Sequence, residues 1–210
     1  MNSIYIQTHA APTGEPSGDE SAWLSPFQAR VAAIYVKREA GNAAAFLPSQ
    51  GAGLSLPDTD AKFFATEREM LAGFWRELGE INKVRKESLV TYNGRKHAVP
   101  FLYVRSSIQE VAIGNRDLMG DRYRMSEHLD LLEAFIFHGI LAKPSLLEVA
   151  RCYQLPLPVT LEGGAMQKLL GAALDSPNQP LWEILAKSGL QYASLTLALA
   201  TIWNKTLRIY

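Results

Sequence analysis

The chain has little from which to build a covalent or metal-held scaffold. Its 210 residues include a single cysteine, Cys152. One cysteine excludes an intrachain disulfide, and no Cys/His spacing of a zinc site accompanies it. This usage fits a reducing, cytoplasmic compartment. Cys152 lies between Arg151 and Tyr153 in a predicted helix and reads as a buried, inert thiol. The four histidines, His9, His97, His128 and His138, are dispersed, and no two have the i, i+4 spacing of a helical metal site. A membrane span is also lacking. The most apolar tract, Leu195 to Trp203, is interrupted by Thr196 and Thr201 and falls well short of the ~20 residues a span needs. Met1 to Ile6 lacks the basic-then-apolar order of a signal peptide, so a soluble protein of the cytoplasm is expected. No charge of one sign prevails, since Lys+Arg and Asp+Glu number 21 each, and global charge singles out no partner. Gly163-Gly164 lacks the strand–loop–helix frame of a phosphate loop and reads as a turn.

What is present is apolar material for a core. Hydrophobic residues make up 48% of the chain, enough for one domain spanning residues 1–210. Ser3 to Thr8 alternates as a short strand, and Ala11 to Glu20 reads as a loop. Arg30 to Val36 is β-branched and apolar, a buried second strand. A third strand is expected around Ala44 to Leu47, followed by a flexible loop around residues 48–61. Thr66-Glu67-Arg68-Glu69 has the form of a capping box. Met70, Leu71, Phe74, Trp75, Leu78 and Ile81 then recur at helical spacing, which predicts an amphipathic helix from Glu67 to Asn82. Ser88 to Tyr92 predicts a strand closed by an Asn93-Gly94 turn. Pro100 lies near the start of a helix running toward Ile113. His128 to Leu132 reads as a strand or a strand-to-helix junction. Helices are expected at Ser145–Tyr153, Ala165–Ala173 and Leu181–Asn204. Strands first, then strands and helices interleaved, is the order of an α/β layer architecture.

Charge is uneven locally. Between Lys83 and Arg124 there are nine basic residues and four acids, so this segment carries +5 and the remainder −5. It brackets the Asn-Gly turn. It reads either as a solvated surface or as a face that contacts phosphate.

Several fragments, taken in order, resemble one family. Leu89-Val90-Thr91-Tyr92-Asn93-Gly94, followed by Pro100-Phe101-Leu102, is similar to the second motif of predicted 3′–5′ exonucleases related to the proofreading domain of family B DNA polymerases. Ile4 to Thr8 falls where that family has an Asp-x-Glu-Thr strand. Ser25-Pro26-Phe27 with Arg30 to Ile34, and Thr66 to Leu71 with Phe74-Trp75, resemble the segments between the two motifs. Asp121-Arg122-Tyr123, His128 to Leu132 and Ser145 to Pro156 resemble later blocks, and Trp182 to Trp203 falls where the third motif belongs. The resemblance implies a ribonuclease H-like mixed sheet flanked by helices. It also implies an active site in which four carboxylates hold two divalent metals. Such metals, Mg²⁺ or Mn²⁺, require hard oxygen ligands. They activate water and stabilise the leaving oxygen of a phosphodiester.

At the positions the resemblance assigns to those carboxylates, this chain has none. Thr8 aligns with the family's Thr, which puts Tyr5 at the Asp and Gln7 at the Glu of the first motif. Ala98 stands at the second-motif Asp, in a His97-Ala98 pair where the family has Phe-Asp. In the third motif Lys187 takes the place of the Tyr and Gln191 that of the Asp. Tyr, Gln, Ala and Gln supply no anionic oxygen at neutral pH. The expectation is therefore a degenerate site, with no catalytic residues, no metal and no cofactor.

The functional expectation is a catalytically inactive exonuclease-like protein, a pseudoenzyme. It is expected to bind single-stranded DNA or RNA through the inherited cleft. Tyr92 and His97 are candidates to stack on bases. Asn93, Arg95, Lys96, Arg105, Arg116, Arg122, Arg124 and Lys187 are candidates to contact the strand. Asp130 reads as a structural hydrogen-bond acceptor near a strand end. The alternatives are a structural or regulatory subunit that binds a protein partner or a second copy, and an active exonuclease whose Mg²⁺ or Mn²⁺ ligands lie elsewhere.

Overall fold

Two long strands organise the molecule. β1 (Ser3–Pro12) and β2 (Ala29–Arg38) pair antiparallel, and β3 (Ala43–Pro48) continues the meander beside β2. β4 (Thr59–Phe64) returns parallel to β3 and forms one edge. On the other side of β1, β5 (Ser88–Thr91) and then β6 (His128–Asp130) add in parallel. The sheet order is β4-β3-β2-β1-β5-β6. A three-strand meander extended by parallel crossover strands beside its first strand, with helices on both faces, is the ribonuclease H-like arrangement. The computed structural model describes residues 3–12, 25–39, 41–84, 88–114, 116–120, 127–157, 165–175 and 178–207.

Among the described residues, six α-helices cover the sheet: α1 (Glu67–Val84), α2 (Ala98–Ile108), α3 (Leu131–Phe135), α4 (Leu146–Cys152), α5 (Ala165–Asp175) and α6 (Gln179–Ile202). No helix among the described residues is long and apolar enough to cross a membrane. The start of α1 is set by the capping box read from sequence. Glu69 N donates to Thr66 Oγ1 and Thr66 N to Glu69 Oε2, both at 3.2 Å. Ser145 and Glu148 form the same reciprocal cap on α4.

Alternation along β1 divides the core between the two faces of the sheet. Ile4 and Ile6 join Ile34, Val36 and Phe46 under Met70, Leu71, Phe74 and Trp75 of α1 and Val99, Phe101 and Leu102 of α2. Tyr5 points the other way, into a cluster with Val90, Leu195, Leu199 and Trp203. Beside that cluster, Tyr35, Ala45 and Leu47 pack under Trp182, Leu185 and Ala186 of α6. α6 approaches closely because Gly189 has no side chain. A Cβ there would run into the Tyr35 ring.

Most predicted elements are present, with shifted ends. β1 runs to Pro12, past the expected start of a loop at Ala11. α2 stops at Ile108 rather than Ile113, and Glu110 just beyond adopts a left-handed φ of 53°. β4 has no counterpart in the sequence reading, which places its first residues, 59–61, in a flexible loop. Asp60 and Lys62 dilute its apolar pattern, and its strand form follows from pairing with β3 in the folded chain.

One carboxylate ties three elements together. Glu67, at the first turn of α1, accepts from Arg105 Nε at 2.9 Å and Nη2 at 2.5 Å, and from Gln109 Nε2 at 3.1 Å. It also accepts from the β2 backbone at Val31 N, at 2.7 Å. Arg105 Nη1 completes the node by donating to the Pro26 carbonyl at 2.9 Å. The two side chains are 7% and 9% exposed, so removing one partner leaves a buried charge uncompensated. Arg105→Ala is expected to lower unfolding free energy by about 3–5 kcal/mol, read from urea denaturation.

Candidate functional site

The first-motif positions lie at the centre of the sheet. Tyr5 sits between Lys37 of β2 and Val90 of β5 and is 2% exposed. Gln7, two residues on, shares the face that α6 covers and lies opposite Tyr35. It is half-buried, and its Nε2 donates to the Thr8 carbonyl at 3.4 Å. Next along β1 comes His9, buried with Nδ1 3.5 Å from Tyr35 Oη. Tyr35 Oη donates in turn to the Leu185 carbonyl of α6 at 3.4 Å. Burial pushes the His9 imidazole down to about 4 and the Tyr35 phenol up. Around His9 and Tyr35 the face is therefore enclosed, and burial favours the uncharged form of both rings.

Gln191 lies on α6 one turn before Leu195, which packs with Tyr5, but Gln191 itself is exposed. Ala98 stands at the first residue of α2, past the end of β5, and α2 packs on the opposite face of the sheet. Tyr5 and Gln7 thus share the face that α6 covers, while Ala98 begins a helix packed on the other face.

The Asn93-Gly94 turn is held from below by Asp130. Asp130 Oδ1 accepts from Asn93 N at 2.9 Å and Leu132 N at 3.1 Å, and Oδ2 accepts from Arg95 N at 2.9 Å. Asn93 takes a left-handed φ of 61°, and a Cβ on Gly94 would collide with the Thr91 side chain. Thr91 Oγ1 meets His128 Nε2 at 2.8 Å. Burial, assisted by the Arg95 charge, pushes His128 down to about 4. The role read for Asp130 from sequence, a structural acceptor near a strand end, is the one its hydrogen bonds show.

The structure corrects part of the expected contact surface. Arg95 is buried and faces inward. Its Nη1 donates to the Met119 and Gly120 carbonyls at 2.7 and 3.3 Å, its Nη2 to the His128 carbonyl, and its Nε lies 3.6 Å from Glu133. Arg105 is spent on Glu67. Neither presents charge to a phosphate. A signal for Arg105 was available in the sequence: it follows Phe101 and Leu102 at helical spacing, on the apolar face of α2. Lys187 is exposed, with its ammonium paired to Glu183 at 2.5 Å. Tyr92 is half-buried and donates to the Pro144 carbonyl at 2.8 Å. Burial and the Asp130 and Glu148 carboxylates push its phenol up. His97 is half-buried beside Phe101 at 5.7 Å, and burial lowers its basicity. Lys96 is exposed and makes no ion pair among the described residues. The Arg116 side chain, Arg122 and Arg124 lie outside the described residues. Cys152, expected to be buried, is exposed at the end of α4.

Divalent metal does not suit the positions the resemblance assigns to it. Tyr5 is enclosed by apolar side chains, Gln7 and Gln191 are neutral amides, and Ala98 has no donor atom. Mg²⁺ gives up water reluctantly and is usually held through carboxylates and phosphates. Among the described residues, no three His, Cys, Asp or Glu side chains come together as a metal site.

Comparison with known proteins gives a likeness of fold. The chain is similar to the structure of the family B DNA polymerase from the hyperthermophilic archaeon Pyrobaculum calidifontis, with a TM-score of 0.65 and 16% sequence identity. The match covers 97% of this chain and 24% of the polymerase chain. No protein-family model and no curated protein matches the sequence. At this identity the likeness shows the α/β fold alone and leaves chemistry to the residues.

Two measurements test the site. Asp130→Ala strands three backbone N–H groups and is expected to cost about 3 kcal/mol or more in urea denaturation. An unchanged stability would contradict the anchoring role. The two buried histidines also make stability depend on pH. Their folded values, about 4, lie below the ordinary 6.5, so the folded state favours the neutral rings. Their contribution is full above pH 6.5 and is lost as pH falls toward 4, by up to about 3 kcal/mol each. The thermal midpoint should fall across that window, and fall less in His9→Gln.

Proposed function

We propose that this chain is a non-catalytic exonuclease-like protein that binds single-stranded nucleic acid without hydrolysing it. The observation that carries the reading is the state of the sheet face under α6. Tyr5 fills it with an aromatic ring, and Gln7 lies beside Tyr35 in place of a carboxylate. A two-metal hydrolase needs concentrated negative charge at that spot, and these residues supply none. The exonuclease-like fold and its likeness to a DNA polymerase domain support a nucleic-acid ligand. At the inherited cleft, the exposed Lys96 with Asn93 and His97 remains from the expected contact set.

Incubation of the protein with labelled single-stranded DNA and RNA, with Mg²⁺ or Mn²⁺, tests both halves. We expect no shortening of either strand, and binding that weakens steeply as salt rises. Chelator-sensitive degradation would establish instead the reading with relocated ligands. Absence of binding at low salt would remove the nucleic-acid half.

A second reading, a protein-interaction subunit, is favoured by one surface. Between α3 and α4, Phe137, Ile140 and Leu141 are 45%, 83% and 53% exposed. Phe137 and His138 both hold left-handed φ values, 48° and 58°. Apolar side chains on a strained loop are a common form of protein contact. If this loop joins two copies, Ile140→Asp converts a concentration-dependent dimer to monomer in sedimentation. A wild-type protein that is monomeric at all concentrations excludes self-association.

A further inference from the structure

The face of the sheet opposite Tyr5 and Gln7 carries exposed cations that the sequence reading did not select. Arg68, Ala72 and Arg76 follow one another at four-residue spacing along α1 and so form a single stripe. At 1.5 Å rise per residue, the two arginines are about 12 Å apart along the helix, with only a methyl side chain between them. A cleft lies on each side of this stripe, and Arg76 lines both.

The first cleft, about 580 Å³, separates α1 from the edge strand β4 and the end of β2. Arg38, Lys62, Phe64, Arg76 and Glu77 line it. Phe64 rests against the α1 backbone at Gly73, where a Cβ would come within 2.7 Å of the ring, and it stacks on Phe46 at 6.1 Å. Glu77 gathers two of the cations, pairing with Arg38 at 3.0 Å and with Lys62, which also meets Asp60 at 3.1 Å. Burial works against the Lys62 charge, but the Glu77 and Asp60 carboxylates outweigh it and raise its basicity. Arg76 is exposed and has no ion pair among the described residues.

The second cleft, about 390 Å³, lies between α1 and the segment after α2. Arg68, Arg76, Glu110 and the edge of Trp75 line it. Arg68 and Glu110 face each other at 3.9 Å, with side chains 60% and 82% exposed. A pair so long and so solvated holds its arginine only weakly. The two clefts together present four cations against the lining carboxylates Glu77 and Glu110.

We propose that this α1 face binds the backbone of a single-stranded nucleic acid, with Arg38, Lys62, Arg68 and Arg76 at the phosphates and Phe64 as the apolar wall beside a base. Cations interleaved with aromatic side chains along a groove are the chemistry by which single strands are held without regard to sequence. This assignment rests on the nucleic-acid reading of the preceding section and moves its principal surface away from the inherited cleft. Arg38 and Lys62 share their charge with Glu77 and Asp60, so they flank the strand more weakly than the two arginines of α1. Arg68 and Arg76 extend the contact along the helix.

Fluorescence anisotropy with labelled oligo(dT) and oligo(rU), across a salt series, tests the assignment. We expect the Arg68→Ala/Arg76→Ala double variant to bind at least about tenfold more weakly at low salt. The slope of log affinity against log salt should flatten by about 1.4, as two lost phosphate contacts predict. Lys96→Ala, on the inherited cleft, should weaken binding less than the double variant does. If the wild-type protein binds and Lys96→Ala weakens binding while the double variant does not, the α1 assignment is overturned and the nucleic-acid reading stands. If the wild-type protein binds neither oligonucleotide at low salt, both fail. Polyglutamate is the control for charge alone. If the double variant loses polyglutamate binding but keeps full oligonucleotide affinity, the face belongs to an acidic peptide and the proposal is overturned.

Discussion

The carboxylate of Glu67 is the constraint on which one side of the molecule depends. It caps no helix and faces no solvent. It holds the start of α1 to the guanidinium of Arg105 on α2 and to the β2 backbone at Val31. Without it, two helices and a strand would meet only through apolar contact, which fixes distance but not register. On the other side of β1, Asp130 does comparable work with three backbone N–H groups, fixing the end of β5 against β6 and α3. In both places a buried acid organises backbone and arginine. Neither acid is left over for chemistry on a bound molecule.

This explains why the fold was readable in the sequence and the site was readable only in part. Periodicity and capping report local preferences, and these survive folding wherever an element has its own apolar face. The Thr66 cap, the apolar repeat of α1 and the run from Arg30 to Val36 are cases of this kind. β4 had no such signal, because it is a strand by virtue of its neighbour. The expectation of a degenerate site rests on residue type alone, since Tyr, Gln and Ala lack charged oxygens wherever they sit. The contact surface was not legible. Arginine is written the same way in a sequence whether it faces water or a buried glutamate, and Arg95 and Arg105 both turned inward to partners distant in the chain.

The two faces of the sheet also differ in electrical character. Under α6 lie a neutral histidine, two tyrosines and an amide, packed among apolar side chains. Along α1 lie arginines and a lysine with their charges at the surface. A fold of this kind is usually considered from the face that would hold metal. Here the face under α6 is core-like around Tyr5 and Tyr35, and the exposed arginines of α1 lie on the other side of the sheet.

The Tyr5 ring has a consequence for how this sequence can change. It occupies volume at the centre of the sheet, against Val90, Leu195, Leu199 and Trp203. Exchanging it for aspartate would open a void and place an anion against hydrocarbon. Each early step toward a carboxylate set would therefore weaken the protein before any metal gained a ligand. Packing, more than charge alone, thus disfavours a carboxylate at the centre of this sheet.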